Sequence, residues 1–146
     1  MQKDLLKNMV AQNQFTCSFS FNRILNENAQ LRLNNNTASI GFIFRHIAET
    51  INLFPGFFGV ATDVQNTTIG KIDEGEVRDV EESRELINNG FKKLEQLIKD
   101  TPDDDWLLLI DTPFFGKVPR IRLFSRILFH NSHHAGQISL TLSKGK

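Results

Sequence analysis

Apolar residues recur along most of this chain at the three- and four-residue spacing with which a helix buries one face. From about Lys3 to Asn26 the positions are Leu5, Leu6, Met9, Val10, Phe15, Phe19, Ile24 and Leu25, interrupted by the polar Asn13, Thr16 and Ser20. That spacing predicts a first helix. Asn34-Asn35-Asn36-Thr37 then breaks the pattern with residues suited to capping a helix start. A second helix is predicted from Ala38 to Phe54, where Ile40, Ile43, Phe44, Ile47, Ile51 and Phe54 mark one face. Pro55-Gly56 should stop it, because proline lacks the N–H and glycine leaves helical geometry easily.

The stretch from Phe57 to Val77, with Gly59, Gly70 and Gly75, reads as a long connection. A connection of that length in one domain has two readings: a crossover along the molecule between two helices, or a lid over a site. A third helix follows from Val80 to Lys99, with Leu86, Ile87, Phe91, Leu94, Leu97 and Ile98 inward. Acidic residues at its start (Asp79, Glu81, Glu82) and lysines toward its end (Lys92, Lys93, Lys99) suit the helix dipole. Thr101-Pro102-Asp103-Asp104-Asp105 ends it. No EF-hand spacing follows the three aspartates, so they read as a solvated turn and not a calcium loop.

Trp106–Ile110 and Phe114–Val118, separated by a turn near Asp111-Thr112-Pro113, predict a short hairpin or extended excursion. Pro119 suits the first turn of a last helix that runs to about Leu142. The expectation is one all-α domain over residues 1–146, a four-helix bundle.

Charge narrows the function classes. Lys+Arg 17 against Asp+Glu 17 leaves no net field for nucleic acid or an anionic membrane. No run approaches the roughly 20 apolar residues of a membrane span, and Met1-Gln2-Lys3-Asp4 opens no signal-type segment. The one cysteine, Cys17, cannot form an intramolecular disulfide and fits a reducing compartment, so a cytoplasmic protein is expected. Among Phe15, Phe19 and Phe21 it reads as a packed thiol.

The chemistry concentrates in the last helix. Three of the 4 histidines stand in Phe129-His130-Asn131-Ser132-His133-His134-Ala135-Gly136-Gln137. At roughly 100° per residue, with His130 at zero, Leu123, Phe124, Ile127, Ile138 and Leu142 cover a stripe from about 20° to about 120°. His134 falls at about 40°, inside the stripe, and His133 near −60°, beside Arg122 and Arg126. His130 and His134 are thus the inward pair, and His133 is a neighbour. Gln137, at about −20°, is close enough to serve as a hydrogen-bond partner. His46 interrupts the apolar face of the second helix. Neutral imidazoles placed among apolar layers need a polar partner, and a shared metal ion is one. A purely structural histidine cluster is the other reading.

Several motifs are excluded. A zincin needs glutamate directly after its first histidine, and Asn131 stands there. His130-Asn131 lies in helical periodicity and not in the strand–helix setting of His-Asn nucleases. No Ser-His-Asp order, glycine-rich phosphate loop or carboxylate pair stands out. Glu49, three residues after His46, is the nearest carboxylate and reads as a solvated glutamate on the helix face.

Gly41-Phe42-Ile43-Phe44-Arg45-His46-Ile47, followed by His130-Asn131-Ser132-His133-His134-Ala135-Gly136-Gln137-Ile138, resembles the DinB/YfiT-like superfamily of metalloenzymes. The resemblance implies an up-down-down-up four-helix bundle, often dimeric, whose parallel middle helices would require the long second connection. It also implies metal ligation by His46, His130 and His134, with His133 at a non-ligand position. The implied cofactor is a divalent ion, zinc, nickel or iron, and a low-molecular-weight thiol is implied as co-substrate. Two positions depart from the family's pattern: Ala135 stands where members usually carry arginine, and the first helix lacks their tryptophan.

Function stays open between classes at this point. One reading is a metal-dependent transferase or hydrolase of small molecules, working by Lewis-acid activation of a thiol or water. Another is a non-catalytic metal- or small-ligand-binding bundle of the stress-response kind. A third is an interaction module that pairs through the first helix or the Phe-rich segments, giving a homodimer.

Overall fold

The computed structural model describes all 146 residues. Four helices and a small two-stranded sheet make up its regular structure: α1 (Gln2–Phe21), α2 (Ile40–Leu53), α3 (Val80–Asp100), β1 (Leu109–Thr112), β2 (Gly116–Pro119) and α4 (Arg120–Lys144). Helix α2 packs against α3 and α4, and α1 packs against the same two. No helix is long and apolar enough to cross a membrane.

The predicted elements are all present, with local differences at their ends. Ser39, and not the asparagine run, caps α2: its Oγ accepts from Phe42 N at 3.3 Å. Pro55-Gly56 does end the α-helix, but the chain continues through a 3-10 turn, Phe54–Phe58, before Gly59 turns away at φ 89°. Asp79 caps α3 by accepting from Glu81 N and Glu82 N. The aspartate run starts a second 3-10 turn, Asp103–Leu107, which buries Trp106 edge-on against Phe124 at 5.2 Å. The hairpin pairs Ile110 with Val118 and Thr112 with Gly116, so its turn, Pro113–Phe115, falls two residues later than the sequence suggests.

One core joins the four helices and includes Ile40, Ile47 and Ile51 of α2, Leu94 and Ile98 of α3, and Phe124, Ile127 and Ile138 of α4. Helix α3 packs tightly on α2 at Gly90, where a Cβ would stand 2.4 Å from Ile51 Cγ2.

Helix α1 differs most from expectation. Its apolar residues do not all turn inward: Leu6, Val10, Cys17 and Phe21 are buried, but Leu5, Met9, Phe15 (60 %) and Phe19 (65 %) are exposed. The polar Asn13 is buried instead. Its Nδ2 donates to Leu128 O (2.9 Å) and Ser132 Oγ (2.8 Å), and its Oδ1 accepts from Asn131 Nδ2 (3.1 Å), fastening α1 to α4 beside His130. Cys17 is the packed thiol expected of it. Burial pushes its pKa up to about 11, against the opposing hydrogen bond with Ser132.

Candidate metal centre

Helix α2 brings His46, and α4 brings His130 and His134, into one cluster. The ring centroids stand 4.9 Å (His46–His130), 4.8 Å (His46–His134) and 4.4 Å (His130–His134) apart. One ring nitrogen from each lies within 4.8 Å of the other two. The helical spacing explains the pair on α4, since residues four apart share a face. Helix packing supplies the third: α2 lies against α4, with Ile43 and Ile47 of one and Ala135 and Ile138 of the other in the same core, and this sets His46 opposite the pair.

His46 Nε2 and His130 Nε2 are 3.0 Å apart. Two imidazole nitrogens at that separation need either a hydrogen on one of them or a cation shared between their lone pairs. His134 Nδ1 faces the acceptor Gln137 Oε1 at 2.6 Å, so Nδ1 carries the hydrogen and Nε2 keeps its lone pair. His130 Nδ1 is buried and has no partner within the protein. His133 is exposed and meets His134 edge to face at 4.9 Å, outside the trio, where the helical wheel sets it.

Electrostatics keep the trio neutral. Burial, then the neighbouring His134, push His46 down to about 4. Burial, then His134 and His46, push His130 down to about 3. Burial lowers His134 as well, against the Gln137 hydrogen bond. Neutral imidazole is the form that can donate a lone pair to a metal.

Glu49 corrects an expectation. It is not a solvated helix-face residue: its exposure is 0 %. Its Oε2 accepts from Thr67 N (2.9 Å), Thr68 N (2.9 Å) and Thr68 Oγ1 (2.5 Å), and its Oε1 from Thr67 Oγ1 (2.5 Å) and Arg45 Nε (3.1 Å). Burial alone would raise its pKa, but these hydrogen bonds outweigh it and hold the carboxyl below its ordinary value. Thr68 in turn lies 3.3 Å from His46 Nδ1 through Oγ1. The three-residue step from His46 to Glu49 was the one sequence signal for this arrangement. Nothing in the sequence singles out Thr67 or Thr68.

Two cavities flank the histidines. One, of about 510 Å³, is lined by Phe115, Val118, Arg122, Arg126, Phe129 and His130 among others, with the Arg126 guanidinium 3.8 Å from the Phe115 ring centroid. The other, of about 390 Å³, includes Phe42, His46, Thr68, Lys71, His134 and Gln137. Neither touches all three histidines.

The crystal structure of a conserved protein from Enterococcus faecalis is similar to this chain with a TM-score of 0.69 over 94% of this chain and 93% of that one. The two are 11% identical, so the likeness shows the fold. No curated protein matches the sequence. The sequence model of the DinB superfamily, by contrast, matches residues 22–138, a span that carries His46, His130 and His134. With that match extending over well more than half of its length, the chain belongs to the DinB superfamily.

Proposed function

We propose that His46, His130 and His134 hold a divalent metal ion and that the protein acts on a small molecule at that ion. The observation that carries this reading is the convergence of three neutral ring nitrogens, one from each residue, within 4.8 Å. The donor set fits such an ion: nitrogen-only, uncharged, and with no carboxylate among its ligands, as in three-histidine catalytic zinc sites. Zinc, nickel or iron would each accept it. When bound, the ion would supply Lewis acidity, lowering the pKa of a thiol or water in an open coordination position.

The chain's own residues supply the rest. Burial keeps the imidazoles unprotonated and available. Gln137 fixes the ring of His134 through Nδ1. The flanking cavities, with apolar walls and the cations Arg122, Arg126 and Lys71, offer room for a small substrate with a polar or anionic group. A low-molecular-weight thiol is the proposed co-substrate. We keep nucleic acid and membranes out of the proposal because the overall charge is balanced. The up-down-down-up helix order belongs to the same proposal, supported by the long connection that leads from Gly59 to α3.

One observation favours a second reading, a bundle that binds metal or ligand without turnover. Glu49, the carboxylate that reaches His46 through Thr68, is fully buried and fully engaged in hydrogen bonds, so it is not available as a general base. The two readings share the metal and differ in turnover.

Homodimerisation through α1 is the proposed assembly. Leu5, Met9, Phe15 and Phe19 are exposed, and Leu5 and Met9 line a groove with Leu128 and Phe129 of α4.

The test is elemental analysis of protein purified without chelator or affinity metal, beside His46→Ala and His130→Ala. About one ion per chain, lost in both variants, supports the site. Failure to bind zinc, nickel or iron would leave a structural histidine cluster and sink the proposal. Thiol-transfer and hydrolysis assays on the loaded protein then separate the enzyme from the binder.

A further inference from the structure

We infer that Thr68 is a positioning residue for the histidine cluster: its hydroxyl, committed to the buried Glu49, forces His46 to carry its hydrogen on Nδ1 and to aim the Nε2 lone pair at His130 and His134. This rests on the metal reading for its purpose, although not for its geometry.

A threonine hydroxyl has one hydrogen to give and can still accept. Glu49 is an ionised carboxylate with no solvent exposure, and Thr68 Oγ1 approaches its Oε2 to 2.5 Å. That separation belongs to a charge-assisted O–H···O⁻ bond, about twice as strong as a neutral one. The hydrogen of Thr68 therefore points at Glu49. The same oxygen lies 3.3 Å from His46 Nδ1 and has only lone pairs left to offer it. His46 must then be the donor, and its Nε2, 3.0 Å from His130 Nε2, is left as an acceptor.

Glu49 is itself fixed by donors on every side. Thr67 N and Thr68 N donate to it, and so does Thr67 Oγ1, whose own lone pair accepts from Arg78 Nη1 at 2.8 Å. Arg45 closes the other edge, pairing with Glu49 at 3.1 Å and with Glu82 of α3 at 3.2 Å. The arrangement is a carboxylate–hydroxyl–imidazole chain, with a hydroxyl inserted where metal-binding histidines often meet a carboxylate directly. It also gives the long connection a role that neither crossover nor lid describes. Residues 67 and 68 of that connection are bonded to α2 and complete the surroundings of His46.

The experiment uses the full chain with Thr68→Val, which removes the hydroxyl at nearly constant shape, and Thr68→Ser, which keeps it. Nitrogen-15 NMR of the metal-free proteins reads the tautomer of His46, and chelator competition reads zinc affinity. The parent and Thr68→Ser should show the hydrogen on Nδ1 and similar zinc affinity. Thr68→Val should lose that single tautomer and bind zinc about ten- to hundredfold more weakly, the usual cost of deleting a partner of a metal-binding histidine. Zinc affinity in Thr68→Val equal to that of the parent would overturn the inference. So would a parent in which His46 carries its hydrogen on Nε2, an outcome that requires no variant to fold. If the parent binds no zinc, the metal reading fails, and the NMR comparison still decides the role of Thr68.

Discussion

His134 donates its Nδ1 hydrogen to Gln137 Oε1 across 2.6 Å, one helical turn further along α4. The bond leaves Nε2 of His134 free to face His46 and His130, and it fixes the plane of the ring. Gln137→Ala should therefore weaken zinc binding by about tenfold or more while leaving the helix intact. Gln137→Glu should preserve the acceptor and bind as tightly as the parent, or more so. Competition titrations would decide this; equal affinity in Gln137→Ala would show that the bond does not orient the ring.

Acid should destabilise the metal-free protein earlier than its carboxylates alone would. His46 and His130 are lowered, to about 4 and about 3, whereas an unfolded histidine takes up its proton near 6.5. As pH falls through that ordinary value the unfolded chain binds protons that the folded chain does not, so stability drops. The loss continues until His46 and then His130 titrate in the folded state. Glu49, held below its ordinary value, adds a further loss at the acid end as pH falls toward its folded pKa. Urea midpoints should thus fall steadily from about pH 7.5 to about pH 5, and the fall should be shallower in His130→Ala. A flat midpoint over that range would mean that the histidines are protonated as easily in the folded chain as outside it.

The spacing of residues within single helices was legible, and the contacts between distant segments were not. Ile40, Ile47, Ile51 and Leu94 fell at buried positions because one periodic face determines them. His130 and His134 were separable from His133 for the same reason. Helix α1 departs from expectation because Phe15, Phe19 and Phe21 look alike in sequence whether they face a core or solvent. The difference lies in Asn13, whose bonds to Leu128, Ser132 and Asn131 turn a polar residue inward and carry Phe15 and Phe19 out. The burial of Glu49 is hidden in the sequence because its partners, Thr67 and Thr68, belong to a loop with no period of its own. Burial of a charge depends on where its donors come from, and here most of them come from the middle of a long connection.

Gly90 sets the approach of α3 to α2. A Cβ at this position would stand 2.4 Å from Ile51 Cγ2 and 2.9 Å from Ile51 Cγ1, and Ile51 is fully buried. Gly90→Ala gains helix propensity but overpacks this contact, and the second effect should win. A net loss of about 1–3 kcal/mol is expected, the usual cost of forcing a methyl group into a filled core. Chemical denaturation measures it. Gly90→Ala together with Ile51→Ala should recover part of the loss that the two single changes would sum to, because one relieves the crowding made by the other. Strict additivity would place the strain elsewhere.

The exposed stripe of α1 makes a distinct prediction about assembly. At roughly 100° per residue, Leu5, Met9, Phe15 and Phe19 fall within about 120° of the helix. Phe15 and Phe19 meet edge to face at 5.1 Å, and between the apolar residues Gln12 Nε2 donates to Thr16 Oγ1 at 3.0 Å. That bond meets one donor of the pair, and the second Gln12 N–H and the Thr16 hydroxyl hydrogen are left to find acceptors on a second copy. Light scattering should report a particle of two chains, and Phe15→Ser with Phe19→Ser should shift it to one while the content of helix stays the same. The metal trio stands on α2 and α4 and none of its members lines the groove beside α1, so zinc should bind the separated chains as it binds the pair. A parent that runs as a single chain at high concentration would leave the stripe without this partner.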